Sequence, residues 1–336
     1  MIRSEGFALV LVLWVLSLLT IMAGSFALSM RREAAIVTGN SHNAQAMAVA
    51  ESGLAIAELM LMNPDQLQRW RTDGSVYQID YADSKIRIRL LAETGKIDLN
   101  SAAPALLQGL MAFAPVEAEL QTKLVNAILD WRDADDLVRI EGAEKDEYKK
   151  AGLSYQPRNK PFQSIGELQL VLGMDEQVFK WIENLVTVYS GQAKVDLKQA
   201  TKEVLQVLPE MDAGLIGSYI AARRESAING LPAPAFPVVS NQGMASGQTS
   251  MLGGAPQTAI NNGTEQNGMI TIVTDALLDD GSTANIKALI KKSDGTGSSP
   301  FQILKWLHNA VGDSSLFTDE KDELLVGHYA EPQFNN

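Results

Sequence analysis

The chain has 336 residues, 46% of them hydrophobic and 20% charged, and its formal net charge is −12. This length is sufficient for one large domain or several smaller ones with buried cores. The acidic balance argues against binding to nucleic-acid phosphates, which attract clustered Lys and Arg. Cysteine is absent, which excludes disulfides and thiolate metal sites, and the three histidines lie far apart in sequence. Composition therefore favours a protein that is not an enzyme.

An uncharged apolar run, Phe7–Met30, is the strongest signal at the start of the chain. Its 24 residues would form a helix of about 36 Å, enough to cross a bilayer core of about 30 Å. The run is longer than the apolar core of a secretory signal peptide, and two arginines follow it directly. Helix-compatible sequence then continues until Pro64. We therefore predict a single-pass membrane anchor that continues as one long helix over residues 7–62, with a weak point at Gly39.

The start of the chain has a second feature, a short segment, residues 1–6, that ends in Gly6 and is followed by Phe7. Further on, the stretch Ala46–Gly53 reads AMAVAESG. This arrangement resembles that of type IV prepilins. The resemblance implies that residues 1–6 are a leader, which a prepilin peptidase removes after Gly6 before methylating the new amine of Phe7.

Leu11 stands at the fifth position after the expected cleavage site, where most pilins carry a glutamate. In pilins that glutamate is thought to pair with the N-terminal ammonium of the subunit ahead, inside the low-dielectric membrane. A subunit at the tip of a fibre has no subunit ahead, so the resemblance implies that Leu11 is specific to a tip position. The alternative is an ordinary anchor residue in lipid. We predict that the C-terminal bulk lies outside the cytoplasm, although Arg31 and Arg32 follow the apolar run.

Residues 76–93 alternate between apolar and polar side chains on both sides of Ala82–Ser84, which predicts a β-hairpin. From residue 97 the pattern becomes helical. Two similar segments begin at Gly95 and Ala193, and a looser third one spans Phe162–Val188. All three resemble helix-hairpin-helix modules, but none keeps both hairpin glycines. Residues 98–192 also contain nine basic and fifteen acidic side chains, so we do not expect nucleic-acid binding.

The C-terminal third begins with a stretch rich in Gly, Pro, Ser, Asn and Gln, which predicts a flexible loop over residues 226–268. Two strands around a turn at 279–282 follow, then a short helix or strand within 299–308. These strands are expected to rejoin the first hairpin. The predicted fold is α+β: a long N-terminal helix packed on an antiparallel, pilin-like sheet from residues 63–96 and 269–329, a large inserted all-helical domain at 97–225, and a tail at 330–336.

The segment Ile128–Met174 is the most specific part of the chain. It resembles the helical insertion of minor pseudopilin K of type II secretion (the GspK family), which carries a DWRDxDD…GAExxY…PxNxPFxSxxEL pattern. The matching residues are Asp130, Trp131, Arg132, Asp133, Asp135, Asp136, Gly142, Ala143, Glu144, Tyr148, Pro157, Asn159, Pro161, Phe162, Ser164, Glu167 and Leu168. With the N-terminal features, the resemblance covers most of residues 1–225.

Five carboxylates within this segment form a candidate metal site: Asp130, Asp133, Asp135, Asp136 and Glu144. Carboxylates so close together repel one another unless something neutralises them, and Ca²⁺ takes six to eight oxygen ligands. The alternative is a solvated acidic face paired with nearby Arg and Lys side chains. The resemblance to pseudopilin K implies calcium.

Four aromatic residues lie in or next to the same segment: Trp131, Tyr148, Tyr155 and Phe162. They could form a ligand cage, but we expect them to hold loops onto a small helical core.

The resemblance implies a minor pseudopilin at the tip of the type II secretion pseudopilus, or of a closely related filament, that helps to initiate assembly for protein export. Its implied partners are minor pseudopilins I and J, the major pseudopilin filament, the prepilin peptidase, and secreted substrates or the outer-membrane channel. It would be anchored in the bacterial inner membrane with its head in the periplasm.

Two alternatives come from other classes of protein. A membrane-anchored helix-hairpin-helix protein that binds DNA for uptake would need a basic face and intact glycine hairpins. A membrane-tethered hydrolase would need a clustered nucleophile and base, and no GxSxG motif occurs in the chain.

Overall fold

The computed structural model describes residues 5–81, 83–237, 260–261, 268–293, 299–308 and 315–330. Within these residues the helices and strands follow the order α1 (Glu5–Leu61), β1 (Asp73–Tyr81), β2 (Ser84–Ala92), β3 (Ile97–Asp98), α2 (Pro104–Met111), α3 (Ala118–Arg132), α4 (Lys145–Lys150), α5 (Glu176–Ile182), β4 (Val186–Thr187), β5 (Val195–Asp196), α6 (Lys202–Val207), α7 (Ala213–Ile228), β6 (Ile260–Asn261), β7 (Met269–Leu278), β8 (Thr283–Lys292), β9 (Phe301–His308), α8 (Asp319–Asp322) and β10 (Leu325–Ala330). The expected leader, loop and tail lie mostly outside the described residues.

The N-terminal helix α1 has 57 residues and is continuous through Gly39. Its first half is apolar and exposed, whereas its second half buries one stripe, Ala46, Ala50, Leu54 and Ala57. The small side chains of this stripe let the helix approach the sheet closely. At Gly53 an added Cβ would lie 2.8 Å from the Ile86 side chain, so the contact requires glycine. The predicted long helix is confirmed.

A six-stranded sheet packs against α1 in the order β10-β1-β2-β7-β8-β9. The predicted hairpin is β1 and β2, and the predicted strands around the turn at 279–282 are β7 and β8. Strand β2 pairs antiparallel with β7 from Ser84↔Leu278 to Ala92↔Ile270. Residues 93–268 are therefore inserted between two neighbouring strands, and the α+β fold with a rejoined sheet is confirmed. The segment at 301–308 is a strand rather than a helix.

Strand β10 is the one parallel member of this sheet and pairs with β1. An aromatic cluster holds it there: Trp70 stacks on Tyr77 at 4.3 Å, and the indole N–H of Trp70 donates to the Tyr329 hydroxyl at 3.2 Å. Periodicity did not predict this pairing, because it joins segments about 250 residues apart and depends on the aromatic contacts.

The insertion is mainly helical, with a core of its own built from α2, α3, α5, α6 and α7. Two short parallel ladders, β3 with β4 and β5 with β6, join its parts. Their backbone hydrogen bonds tie the KIDL and KVDL segments to chain far away in sequence, which is why the region expected to be all helical contains strands.

Buried polar contacts fix the insertion on the sheet. Glu93, at the start of the insertion, accepts hydrogen bonds from Lys96 at 2.7 Å, from Thr271 of β7 at 2.6 Å and from Thr187 of β4. On the other side, Arg223 of α7 donates to the Asp73 carbonyl at 3.1 Å, and its Nε lies 3.4 Å from the Asp73 carboxylate. These contacts orient the insertion relative to α1.

Candidate functional site

The predicted acidic site lies where α3 ends and the loop to α4 begins. Asp130 and Trp131 belong to the last turn of α3, and Asp133 caps its C-terminal end. Glu144 is the N-cap residue of α4, where the backbone turns extended before the helix. The structure therefore brings the two ends of the acidic segment together, as expected from the sequence.

Asp130 is fully buried and holds the loop rather than facing solvent. One of its oxygens accepts from the Arg139 side chain at 2.6 Å, and the other accepts from the backbone N–H of Ala143 at 2.9 Å. An added Cβ at Gly142 would lie 2.0 Å from the same carboxylate, so this contact requires glycine at position 142. Arg139 also contacts the Asp133 carboxylate and bridges the two acids.

Asn159 closes the loop from the opposite side. Its amide nitrogen donates to the Asp135 carbonyl and to the Asp136 carboxylate, both at 2.8 Å. Its backbone adopts a left-handed conformation with φ of 50°, which asparagine tolerates better than most residues. The sequence pattern included Asn159 but did not reveal that it is the residue that holds the acidic loop.

Four buried oxygen atoms at this site lack a hydrogen bond of good geometry: both carboxylate oxygens of Glu144, Oδ1 of Asp133 and Oδ1 of Asn159. The Glu144 carboxylate faces the backbone N–H of Glu147, in a capping box, and the Asn159 side chain. Burial, together with the charges of Asp130, Asp133 and Asp136, raises the pKa of Glu144 to about 7. Buried polar atoms without partners are uncommon in folded proteins and call for an explanation. Hard oxygen donors of this kind are the type that Ca²⁺ prefers.

No group of three or more acidic or histidine side chains converges as a ready-made cation site in the part of the chain that the structure describes. In the structure Arg139 neutralises Asp130 and Asp133, which is part of the alternative considered from sequence. The donor chemistry of the unpartnered oxygens fits calcium, and Asp130 differs from the other acids because both of its oxygens already accept hydrogen bonds.

The aromatic residues of the motif form a packed core beside the acidic loop. Trp131 stacks on Phe162 with ring centroids 6.0 Å apart, and it contacts Tyr148, which is fully buried. The Tyr148 hydroxyl accepts from the backbone N–H of Leu172 at 2.9 Å. These contacts confirm that the aromatics hold loops, and only Tyr155, which contacts the edge of Tyr148, is substantially exposed.

A further residue with a positioning role is Asn100, which lies near the start of the repeated segment that begins at Gly95 and which the sequence analysis did not single out. Its amide nitrogen donates to the Phe162 carbonyl at 2.9 Å, and its amide oxygen accepts from the Phe162 N–H at 2.7 Å. The two-way bond joins the start of the insertion to the PF segment of the motif. The residue type at a turn is the signal that could have indicated it.

The residues expected at the processing site lie in the first turns of α1. Gly6 and Phe7 are helical, and Leu11 is exposed on the apolar half of the helix. Among the described residues, one helix is long and apolar enough to cross a membrane, and no residue in the apolar window of that helix is buried. It is a candidate membrane anchor.

Comparisons with known proteins agree with this arrangement. Residues 84–191, which contain the acidic loop, match the family model described as Type II secretion system (T2SS), protein K. The Type II secretion system protein K of Klebsiella pneumoniae is 28% identical over 197 residues, which cover 53% of this chain and 60% of that protein. The match thus spans less than two thirds of its relative.

A solved structure, the GspK-GspI-GspJ complex from the enterotoxigenic Escherichia coli type 2 secretion system, contains a chain that is 16% identical, with a TM-score of 0.49. The alignment covers 83% of this chain and 98% of that one. The family match includes the α3 acids, Asn159 and the aromatic core of the site. Residues 84–191 of the chain are thus similar to the type II secretion system protein K family.

Proposed function

We propose that the protein is a minor pseudopilin that caps the tip of a type II secretion pseudopilus and helps to initiate its assembly. The observation that carries this proposal is α1, one continuous helix whose apolar first half is exposed and whose second half packs on the sheet. Such a helix can hold the protein in the inner membrane, with its head in the periplasm, and can later pack against the helices of other subunits.

Two features support a place at the tip. The inserted unit between β2 and β7 adds a second core beside the sheet, and a bulky head is hard to accommodate in a shaft where heads pack closely around a helix bundle. Leu11 carries no charge, so a subunit without a neighbour ahead leaves no unpaired carboxylate in the membrane. At the tip, the head would be positioned to contact secreted substrates or the outer-membrane channel.

The partners in this proposal are minor pseudopilins I and J and the major pseudopilin filament. The match of residues 84–191 to the protein K family model supports them. Contacts through the exposed apolar half of α1 would be helix-to-helix packing, to which the row of exposed aliphatic side chains is suited.

The mass of the membrane-extracted chain, made with and without a prepilin peptidase, tests entry into this pathway. We expect loss of residues 1–6 and gain of one methyl group on Phe7 only when the peptidase is present. Gly6→Val should block the cleavage because it places a branched side chain at the cut site, whereas Gly24→Ala, at an exposed position with open space around it, should be processed normally. An intact N-terminus in the presence of the peptidase would contradict the proposal.

The tip position needs a separate test. A tag on the head, visualised by gold labelling of assembled filaments, should appear at one end of each filament. The protein should co-purify with the I and J proteins from cells in which filaments have not yet elongated. Labels distributed along the shaft would refute tip placement while leaving membership of the filament intact.

We also propose that the acidic loop binds Ca²⁺ through Glu144 and Asp133, with Asp135 and Asp136 as further oxygen donors. The unpartnered oxygens of Glu144 and Asp133 support this assignment. Asp130 would hold the loop in place, since its oxygens accept hydrogen bonds from Arg139 and Ala143. A bound cation would neutralise the loop and join the end of α3 to the start of α4.

Calcium titration of the full chain in detergent micelles, by calorimetry, tests the site. Glu144→Gln should weaken Ca²⁺ binding at least about tenfold, because it removes one charge and keeps the shape of the side chain. Asp146→Asn is the matched control, since it removes the same charge from an exposed position in α4. Equal effects of the two substitutions, or no saturable binding of Ca²⁺ by the unaltered chain, would contradict the assignment.

A further inference from the structure

Strand β9 is the outermost strand on one side of the sheet, and no strand among the described residues pairs with its free edge. Three aliphatic side chains on it are exposed: Ile303, Leu304 and Leu307. An edge strand eight residues long that exposes apolar side chains is a site at which another strand can pair.

Backbone hydrogen bonds on β8 show which groups face β9. The N–H of Lys292 donates to the Gly268 carbonyl at 2.8 Å, on the side of β7. The N–H of the next residue, Ser293, donates to the Pro300 carbonyl at 2.8 Å, on the side of β9. Because the direction of backbone groups alternates along an antiparallel strand, the odd-numbered residues of β8 bond to β9.

The register then identifies the free amides of β9. The odd-numbered residues of β8 pair with Leu307, Lys305 and Gln302, whose backbone groups therefore point inward. The remaining positions, apart from the bulge at Leu304, present their N–H groups outward: Phe301 at the start of the strand, and Ile303, Trp306 and His308 within it. An added strand could accept hydrogen bonds from these outward N–H groups.

Charge indicates what kind of strand would fit. Strands β8 and β9 contain four lysines and no acidic residue, although the whole chain has a net charge of −12. Lys291, Lys292 and Lys305 have no ion-pair partner among the described residues. If a second copy of the chain paired through β9, the two Lys305 side chains would lie close together and repel each other. An acidic strand would be attracted.

We propose that the free edge of β9 is a docking site for an extended, acidic segment of another protein, which adds to the sheet as a seventh strand. Main-chain hydrogen bonds to Ile303, Trp306 and His308 would give the affinity, and the lysines of β8 and β9 would select acidic side chains. This surface lies on the head, on the far side of the sheet from β10, and does not depend on the membrane anchor or on calcium.

Binding of two capped peptides to the full chain in detergent micelles tests this. One peptide alternates Val with Glu and the other alternates Val with Lys. We expect the acidic peptide to bind at least about tenfold more tightly, with the preference falling as salt rises from about 0.05 to about 0.5 M. On binding, hydrogen exchange should slow at the amides of Ile303, Trp306 and His308, whereas the inward amides of Gln302 and Leu307 should already be slow. Equal binding of the two peptides, or no slowing at the three outward amides, would overturn the proposal.

Two substitutions separate backbone pairing from charge. Ile303→Pro removes an outward N–H and should weaken binding of the acidic peptide at least about tenfold. Ile303→Val, the matched control, should bind the peptide as the unaltered chain does. Lys305→Glu should reduce the preference for the acidic peptide and leave the ladder with β8 in place, so it tests the proposal even where Ile303→Pro does not fold. An unchanged preference in Lys305→Glu would refute the role of the lysines.

Discussion

Arg223 is predicted to be the most sensitive polar side chain at the junction between the insertion and the sheet. Its guanidinium donates to the carbonyls of Ala200 at 2.7 Å, of Lys198 at 3.3 Å and of Asp73 at 3.1 Å. Its Nε lies 3.4 Å from the Asp73 carboxylate, and both side chains are less than a tenth exposed. Arg223→Met keeps much of the side-chain volume but leaves the Asp73 carboxylate with Arg71, at 4.0 Å, as its remaining cation and with hydrogen bonds from Ser75.

The expected cost follows from the buried charge that remains. Removing one partner of a buried ion pair costs about 3–5 kcal/mol of unfolding free energy. For a chain of this size each kcal/mol lowers the melting temperature by about 2–4 °C, so we expect a decrease of about 10 °C. Thermal unfolding of the full chain in detergent micelles, followed by near-ultraviolet circular dichroism, measures it.

A control and a second substitution test the cause. Arg224→Met removes the same charge from the neighbouring exposed position of α7 and should change the melting temperature by only about 1–2 °C. Adding Asp73→Asn to Arg223→Met should recover about 1–2 kcal/mol, since it removes the unpaired buried charge. If Arg223→Met costs no more than Arg224→Met, or if Asp73→Asn makes the double variant still less stable, the reasoning is wrong.

Three further predictions concern the acidic loop and the helix–sheet contact. The pKa of Glu144 is raised from 4.5 to about 7. The free energy of unfolding is therefore unaffected by this carboxyl below about pH 4.5 and falls as pH rises from there through about 7. In calcium-free buffer Glu144→Gln should therefore gain about 1 kcal/mol at pH 8 and nothing at pH 4, after allowance for solvent screening; chemical denaturation at both pH values checks it, and an equal gain at both would contradict it. Gly142→Ala should lower the free energy of unfolding by about 2–4 kcal/mol because its Cβ would meet Asp130 Oδ2. Gly217→Ala, with open space around it, should raise it by about 0.5–1 kcal/mol. The melting temperatures of the two variants compare these effects, and matching shifts would be inconsistent with the clash. Leu54→Ala should cost about 2–5 kcal/mol through the cavity it leaves between α1 and the sheet, measured by urea unfolding, and a loss below about 1 kcal/mol would mean that this contact is not part of the packed core.

Local patterns were sufficient for the main elements. The long helix and both hairpins follow from periodicities of two and 3.6 residues and from turn residues. The expected return of the later strands to the first hairpin is confirmed by the pairing of β2 with β7. The insertion followed from the change of period at residue 97. The motif between Ile128 and Met174 also placed the acidic and aromatic residues in one unit, and the aromatic contacts confirm this.

Other features depend on contacts between residues far apart in sequence, which no local period records. The parallel pairing of β10 needs the stack of Trp70, Tyr77 and Tyr329. The buried role of Glu93 needs hydroxyl groups from β4 and β7. The outward amides of β9 follow from which neighbour each strand has in the sheet.

The acidic site shows the same division. Sequence by itself determined that five carboxylates lie in one short segment, that a long apolar run precedes them, and that the chain is acidic and without cysteine. Only the tertiary structure decided that both Asp130 oxygens accept hydrogen bonds, while the buried carboxylate of Glu144 lacks a hydrogen bond of good geometry. The reason is physical: composition sets how many charges a segment carries, but burial and the direction of neighbouring donors set which of them remain unsatisfied.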